Sequence, residues 1–201
     1  MAILSDTQGK LFRPFTFSSE KDFEACVVQL ADQIFGSSTI YIDVKRRVKG
    51  NDIVTIPDGY LIDTTEPSSP KLFIVENEIV SHDPFKHIGI QMLRFVTSFE
   101  DAQLSVRNFL MEELAKQKNN LEQFEQAARD AGSRNIDAYL DQAVYGDFRG
   151  LVVIDEARPE LHKVLEKINA NISVLELKAF EDDQKQRLYL FDTLYDEEEE
   201  P

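Results

Sequence analysis

A single cysteine, Cys26, excludes an internal disulfide and fits a reducing compartment. No apolar run approaches the roughly 20 residues needed to span a bilayer, and the opening MAILSDTQGK lacks the charged start and long apolar stretch of a secretory signal. The expectation is a cytoplasmic protein with no membrane partner. Histidine is scarce, and neither His82 nor His87 has a second His or Cys at a zinc-ligand spacing, which argues against zinc. Internal repeats, a phosphate-binding glycine loop, a G-x-S-x-G elbow and a Cys-His nucleophile signature are absent. Basic charge is in deficit too: 22 Lys and Arg stand against 37 Asp and Glu, a net charge of −15. Nucleic-acid binders draw much of their affinity from neutralising phosphates, so the global balance argues against such a partner. Asp196 and Glu197 to Glu200 supply −5 of that total, and Lys45-Arg46-Arg47-Val48-Lys49 is a dense local basic run.

What is present is an ordinary globular composition, 42% apolar and 29% charged over 201 residues. That is enough chain for one good core, so residues 1–195 read as a single domain. Residues 196–201 read as an acidic disordered tail or a linker to a further C-terminal domain.

The chain is organised around residues 52–95. Two apolar runs, Ile53 to Ile62 and Lys71 to Ile79, flank a Thr/Pro/Ser loop and read as strands. Asp58 follows Pro57 inside the first, and Glu76 and Glu78 interrupt the second. Side chains two apart on a strand share a face, roughly 7 Å apart. A hairpin folded about Pro67 places position 58 opposite position 76. Three carboxylates in one patch need a cation or raised pKa values, and hard oxygen ligands suit Mg²⁺ or Mn²⁺. A solvated outer face of an antiparallel sheet carries the same alternation and stays open as a reading.

Pro57-Asp58, then Glu76-Asn77-Glu78, then a helix carrying Gln91 and Phe95, resembles the PD-(D/E)xK superfamily of restriction-endonuclease-like nucleases. The resemblance implies an α/β fold with a mixed central sheet flanked by helices. It implies Asp58 and Glu76 as metal ligands, with Glu24 on an upstream helix as an outer ligand. The chain departs from the commonest pattern because Glu78 occupies the usual lysine position. In this reading Glu78 orients or deprotonates water, and Lys45 or Gln91 steadies developing charge.

Around this centre, Ser19 to Phe35 reads as a helix, with Ser19 as N-cap and Gly36 as stop. Residues 39–48 alternate, so Tyr41, Asp43, Lys45 and Arg47 share a face, with Gly50-Asn51 as the following turn. A helix from Pro84 to Phe99 lines up His87, Gln91, Arg94 and Ser98. Residues 100–146 read as a helical insertion, broken at Gly132-Ser133. Then follow a strand at 150–155, a helix at 159–168, and strands at 172–180 and 187–191. The expected activity is Mg²⁺- or Mn²⁺-dependent hydrolysis of a nucleic acid, DNA first, with Arg46, Arg47, His87 and Arg94 on the substrate. The alternatives are a catalytically inactive nuclease-fold interaction domain and an unrelated acidic scaffold; a homodimer is compatible with either.

Overall fold

The computed structural model describes residues 3–45, 48–49, 54–82 and 84–194. In chain order the elements are β1 (Leu4–Ser5), β2 (Leu11–Phe15), α1 (Glu20–Phe35), β3 (Thr39–Ile42), β4 (Val48–Lys49), β5 (Val54–Thr55), β6 (Gly59–Asp63) and β7 (Lys71–Glu78). After a 3₁₀ turn at Val80–His82 come α2 (Pro84–Lys116), α3 (Lys118–Asp130), α4 (Ile136–Val144), β8 (Arg149–Ile154), α5 (Pro159–Leu165), β9 (Asn171–Glu181) and β10 (Arg187–Phe191). Among the described residues this is a mixed α/β fold with an open sheet of eight strands and five α-helices.

The sheet runs β1-β2-β9-β8-β7-β6-β3, with β10 also on β9. β3, β6 and β7 form an antiparallel meander. β8 joins β7 in parallel after the helical crossover, and β9 joins β8 in parallel after α5. Strand alternation sorts each central strand into two cores. Leu72 and Ile74 face α2 in one cluster, while Phe73 and Val75 face α1 in the other. Ser19 caps α1 by accepting from the Asp22 amide, and Gly36 ends it at a φ of 90°, which only glycine adopts without strain.

Three expectations are corrected. The strand expected over 39–48 stops at Ile42, because the Val44 amide turns back to the Ile42 carbonyl at 3.1 Å. Val48 belongs instead to a separate two-stranded hairpin, β4–β5, that packs on α2. The strand expected over 53–62 is split between β5 and β6, since Pro57 has no N–H for the ladder. The helix expected to stop at Phe99 runs on to Lys116, and Ala102, Val106, Leu110, Leu114 and Phe124 from the expected insertion join the same core as Ile88 and Phe95. Arg46, Arg47, the Gly50-Asn51 turn and the acidic tail lie outside the described residues. No helix among the described residues is long and apolar enough to cross a membrane.

Candidate active site

The β6–β7 register pairs Gly59 with Val75 and Asp63 with Lys71. That is the register of a fold about Pro67, and one step further sets position 58 against position 76. There the ladder changes character. The Asp58 amide donates to the Val75 carbonyl at 3.1 Å, and the Asp58 Oδ2 accepts from the Asn77 amide at 2.9 Å. A carboxylate thus takes a β7 amide at the point where Pro57 interrupts the strand. Its second oxygen, Oδ1, lies 3.0 Å from Lys45 Nζ, and Lys45 also reaches Glu24 Oε1 at 2.8 Å. Residues from α1, the end of β3 and the start of β6 therefore meet at one ammonium. Burial opposes the charge on Lys45, but its bonds to Glu24 and Asp58 outweigh this and hold the ammonium above the ordinary lysine range.

Glu76 lies beside this group and is only 4% exposed. Its Oε1 is buried with no hydrogen-bond partner among the described residues. Burial first, and then the charge of Asp58 and a hydrogen bond shared with it, push the Glu76 carboxyl well above the usual range. Glu76 therefore favours its protonated form far more than an ordinary glutamate does, a preference that a bound cation would oppose.

Glu78 stays within electrostatic reach of Asp58 and Glu76 but makes its hydrogen bonds elsewhere. Its Oε1 accepts from the Ile79 amide at 3.1 Å, and its carboxyl is hydrogen-bonded to Glu20 at the start of α1. Burial, reinforced by Glu20, pushes it up to about 8. Alternation put residues 76 and 78 on one face, but β7 ends at Glu78, and the turn after it lets the side chain bend toward α1. Among the described residues no group of three or more His, Cys, Asp or Glu is close enough to hold a metal ion. The expected trio of carboxylates is thus a pair, Asp58 and Glu76, with Lys45 and Glu24 alongside.

Sequence reasoning passed over several neighbours. Asn77 Nδ2 donates to the Tyr41 hydroxyl at 3.0 Å, and Asn77 Oδ1 is buried without a hydrogen-bond partner among the described residues. Gly59 is the residue that admits this ring: a Cβ there would sit 2.7 Å from the Tyr41 oxygen. Asp155 Oδ1 accepts from the Val80 amide at 2.7 Å and fixes the turn that follows Glu78. Tyr41 had a signal, because strand alternation placed it on the same face as Lys45.

His87, Gln91 and Arg94 do come together. With Ile90 they line a depression of about 290 Å³ on α2, whose walls include neither Lys45 nor any of the acids above. Ser98, the fourth residue of that line, is buried and donates to the Arg94 carbonyl at 2.7 Å. No protein-family model, curated protein or solved structure matches the chain. Asp58 and Glu76 are the residues whose oxygens could take a hard cation.

Proposed function

We propose that this chain is a PD-(D/E)xK-like phosphodiesterase that hydrolyses nucleic acid, DNA first, with Mg²⁺ or Mn²⁺. The observation that carries the reading is the Lys45 ammonium 3.0 Å from Asp58, beside Glu76. The lysine missing from position 78 is supplied in space from the end of β3. The order of elements agrees with it: a helix, an antiparallel meander, a helix and a parallel fourth strand.

The donor set fits a hard cation. It is all oxygen, it contains a buried unpartnered carboxyl oxygen on Glu76, and such ions need only one or two protein carboxylates beside waters and substrate phosphate. When bound, the ion would polarise the phosphate and lower the pKa of an attacking water. The chain's own groups do the remainder. Asp58 is fixed by the Asn77 amide and so presents one oxygen in a set direction. Lys45 places positive charge where a phosphorane would gather negative charge. Glu78, which titrates at about 8, is matched to exchanging a proton with water or a leaving group near neutral pH. Lys45 opens the densest basic run of the sequence, Lys45-Arg46-Arg47-Val48-Lys49, a local exception in sequence to the net −15.

A nicking assay tests the reading. Supercoiled plasmid, single-stranded DNA and RNA are each incubated with the protein and Mg²⁺ or Mn²⁺, alongside Asp58→Ala and Glu76→Gln. Metal-dependent cleavage lost in both variants is the expected result. Cleavage that persists in pure Asp58→Ala refutes the site. The ion pairs that engage Lys45 favour a second reading, an inactive nuclease-like interaction domain; nucleic-acid binding without cleavage under any metal would select it.

A further inference from the structure

The strand that leads to Lys45 and the strand that carries Glu76 are joined by a hydrogen bond that passes over a third. β3 and β7 are not neighbours, because β6 lies between them. Tyr41 pairs with Leu61, so its side chain shares a sheet face with Leu61 and with Gly59 two residues earlier. A Cβ at Gly59 would meet the Tyr41 hydroxyl at 2.7 Å and its ring at 2.8 Å, so the ring lies across the position of β6 that has no side chain. From there the hydroxyl accepts from Asn77 Nδ2 at 3.0 Å. Phe35 at the end of α1 packs against the same ring, with 5.3 Å between centroids.

Position 77 is two steps beyond the Gly59 and Val75 pair, which sets it against Pro57, a residue with no N–H. Side chains take over from the ladder there: the Asn77 amide donates to Asp58 Oδ2, and the Asn77 side chain donates to Tyr41. Asn77 shares its face of β7 with Phe73 and Val75, both of which fill the core against α1. A branched aliphatic residue would suit that position on packing grounds alone. Asn77 is instead 3% exposed, and its Oδ1 has no hydrogen-bond partner among the described residues. A buried acceptor of this kind lowers stability, and local rules are broken in this way chiefly where a site requires it.

We propose that Tyr41 and Asn77 are positioning residues, a clamp that registers the Lys45 end of β3 against the Asp58 and Glu76 end of the β6–β7 hairpin. The purpose of the clamp rests on the hydrolytic reading of that site; its geometry does not. Each residue acts through a neighbour. β3 ends at Ile42 and Lys45 follows three residues later, so fixing Tyr41 limits where the ammonium can stand against Asp58 Oδ1, 3.0 Å away. Fixing the Asn77 side chain steadies its own amide, and that amide sets the direction of the Asp58 carboxylate. Outer partners that orient a ligand in this way alter metal affinity or rate by about 10- to 100-fold when removed, without contributing a ligand atom.

The test uses the full chain and two variants. Tyr41→Phe keeps a ring across Gly59 and removes only the hydroxyl; Asn77→Val removes the amide donor together with the unpartnered oxygen. In EDTA, amide exchange followed by NMR is expected to show the Asn77 N–H of Tyr41→Phe exchanging about five- to tenfold faster than in wild type, the equivalent of one neutral hydrogen bond, with Ile74 and Val75 unchanged. Calorimetry with Mn²⁺ is expected to show an affinity about tenfold weaker in both variants, while Asn77→Val unfolds at a urea concentration no lower than wild type. A bond that serves the fold alone gives the reverse, a lower urea midpoint with unchanged Mn²⁺ affinity, and that result overturns the proposal. So does an Asn77 amide whose exchange Tyr41→Phe leaves unaltered. Wild type that binds no Mn²⁺ refutes the hydrolytic reading instead, and the exchange measurement, made without metal, still decides whether the clamp fixes Asp58.

Discussion

Replacing Glu78 by glutamine isolates a charge that the fold holds at a cost. Glu78 is 7% exposed, accepts from the Ile79 amide and is hydrogen-bonded to Glu20. Burial and Glu20 lift its carboxyl from 4.5 to about 8. The sign follows from proton counting. Between those two values the folded protein holds a proton on Glu78 that the unfolded chain releases, so stability falls as pH rises through the interval and is lowest above about 8. Each pH unit of the interval is worth up to about 1.4 kcal/mol, and part of the shift belongs to Glu20 when both groups ionise. The wild-type chain should therefore lose between about 2 and 5 kcal/mol from this group between about pH 5 and 8. Glutamine mimics the protonated acid: its carbonyl can still accept from Ile79 and its amide can donate to Glu20. Urea unfolding in EDTA-containing buffers from pH 5 to 9 measures the difference. Glu78→Gln should match wild type near pH 5 and become progressively more stable than it toward pH 8, after which the gap is constant. Two parallel curves across that range would refute the buried, proton-sharing description of Glu78.

Two smaller perturbations probe the scaffold. Gly59→Ala drives a methyl group to 2.7 Å from the Tyr41 hydroxyl and 2.8 Å from its ring, and should destabilise the fold by about 1–3 kcal/mol in urea while disturbing the Asn77–Tyr41 bond. An unchanged midpoint would mean that Tyr41 is free to move aside. Gln123→Ala removes two hydrogen bonds to the β3 edge and should lower stability by about 1 kcal/mol at constant m-value; faster amide exchange confined to Thr39–Ile42 would locate the loss.

The elements were legible because their periods are clean. The stripe Phe23, Cys26, Val27 and Ile34 is buried on α1, as 3.6-residue spacing implies. The register about Pro67 could be counted from the loop alone, since the side-chain period of a strand allows no half-steps. The site was legible only as far as it is built from strand geometry. Asp58 meets Glu76 because they are cross-strand neighbours, and that follows from the register. Glu78 turns toward Glu20 because β7 stops there and α1 begins nearby, a relation between elements 58 residues apart that no local pattern encodes. Lys45 shows the same limit from the other side. Alternation gave it a face, but the Val44-to-Ile42 turn that ends β3 and sets the direction of the chain at Lys45 is a single backbone hydrogen bond. The line His87, Gln91 and Arg94 was read correctly as one helical face, yet a helical period says which residues share a face and nothing about what that face meets. Convergence across elements is set by packing, so a sequence yields the pairs inside a hairpin and leaves the third partner to the fold.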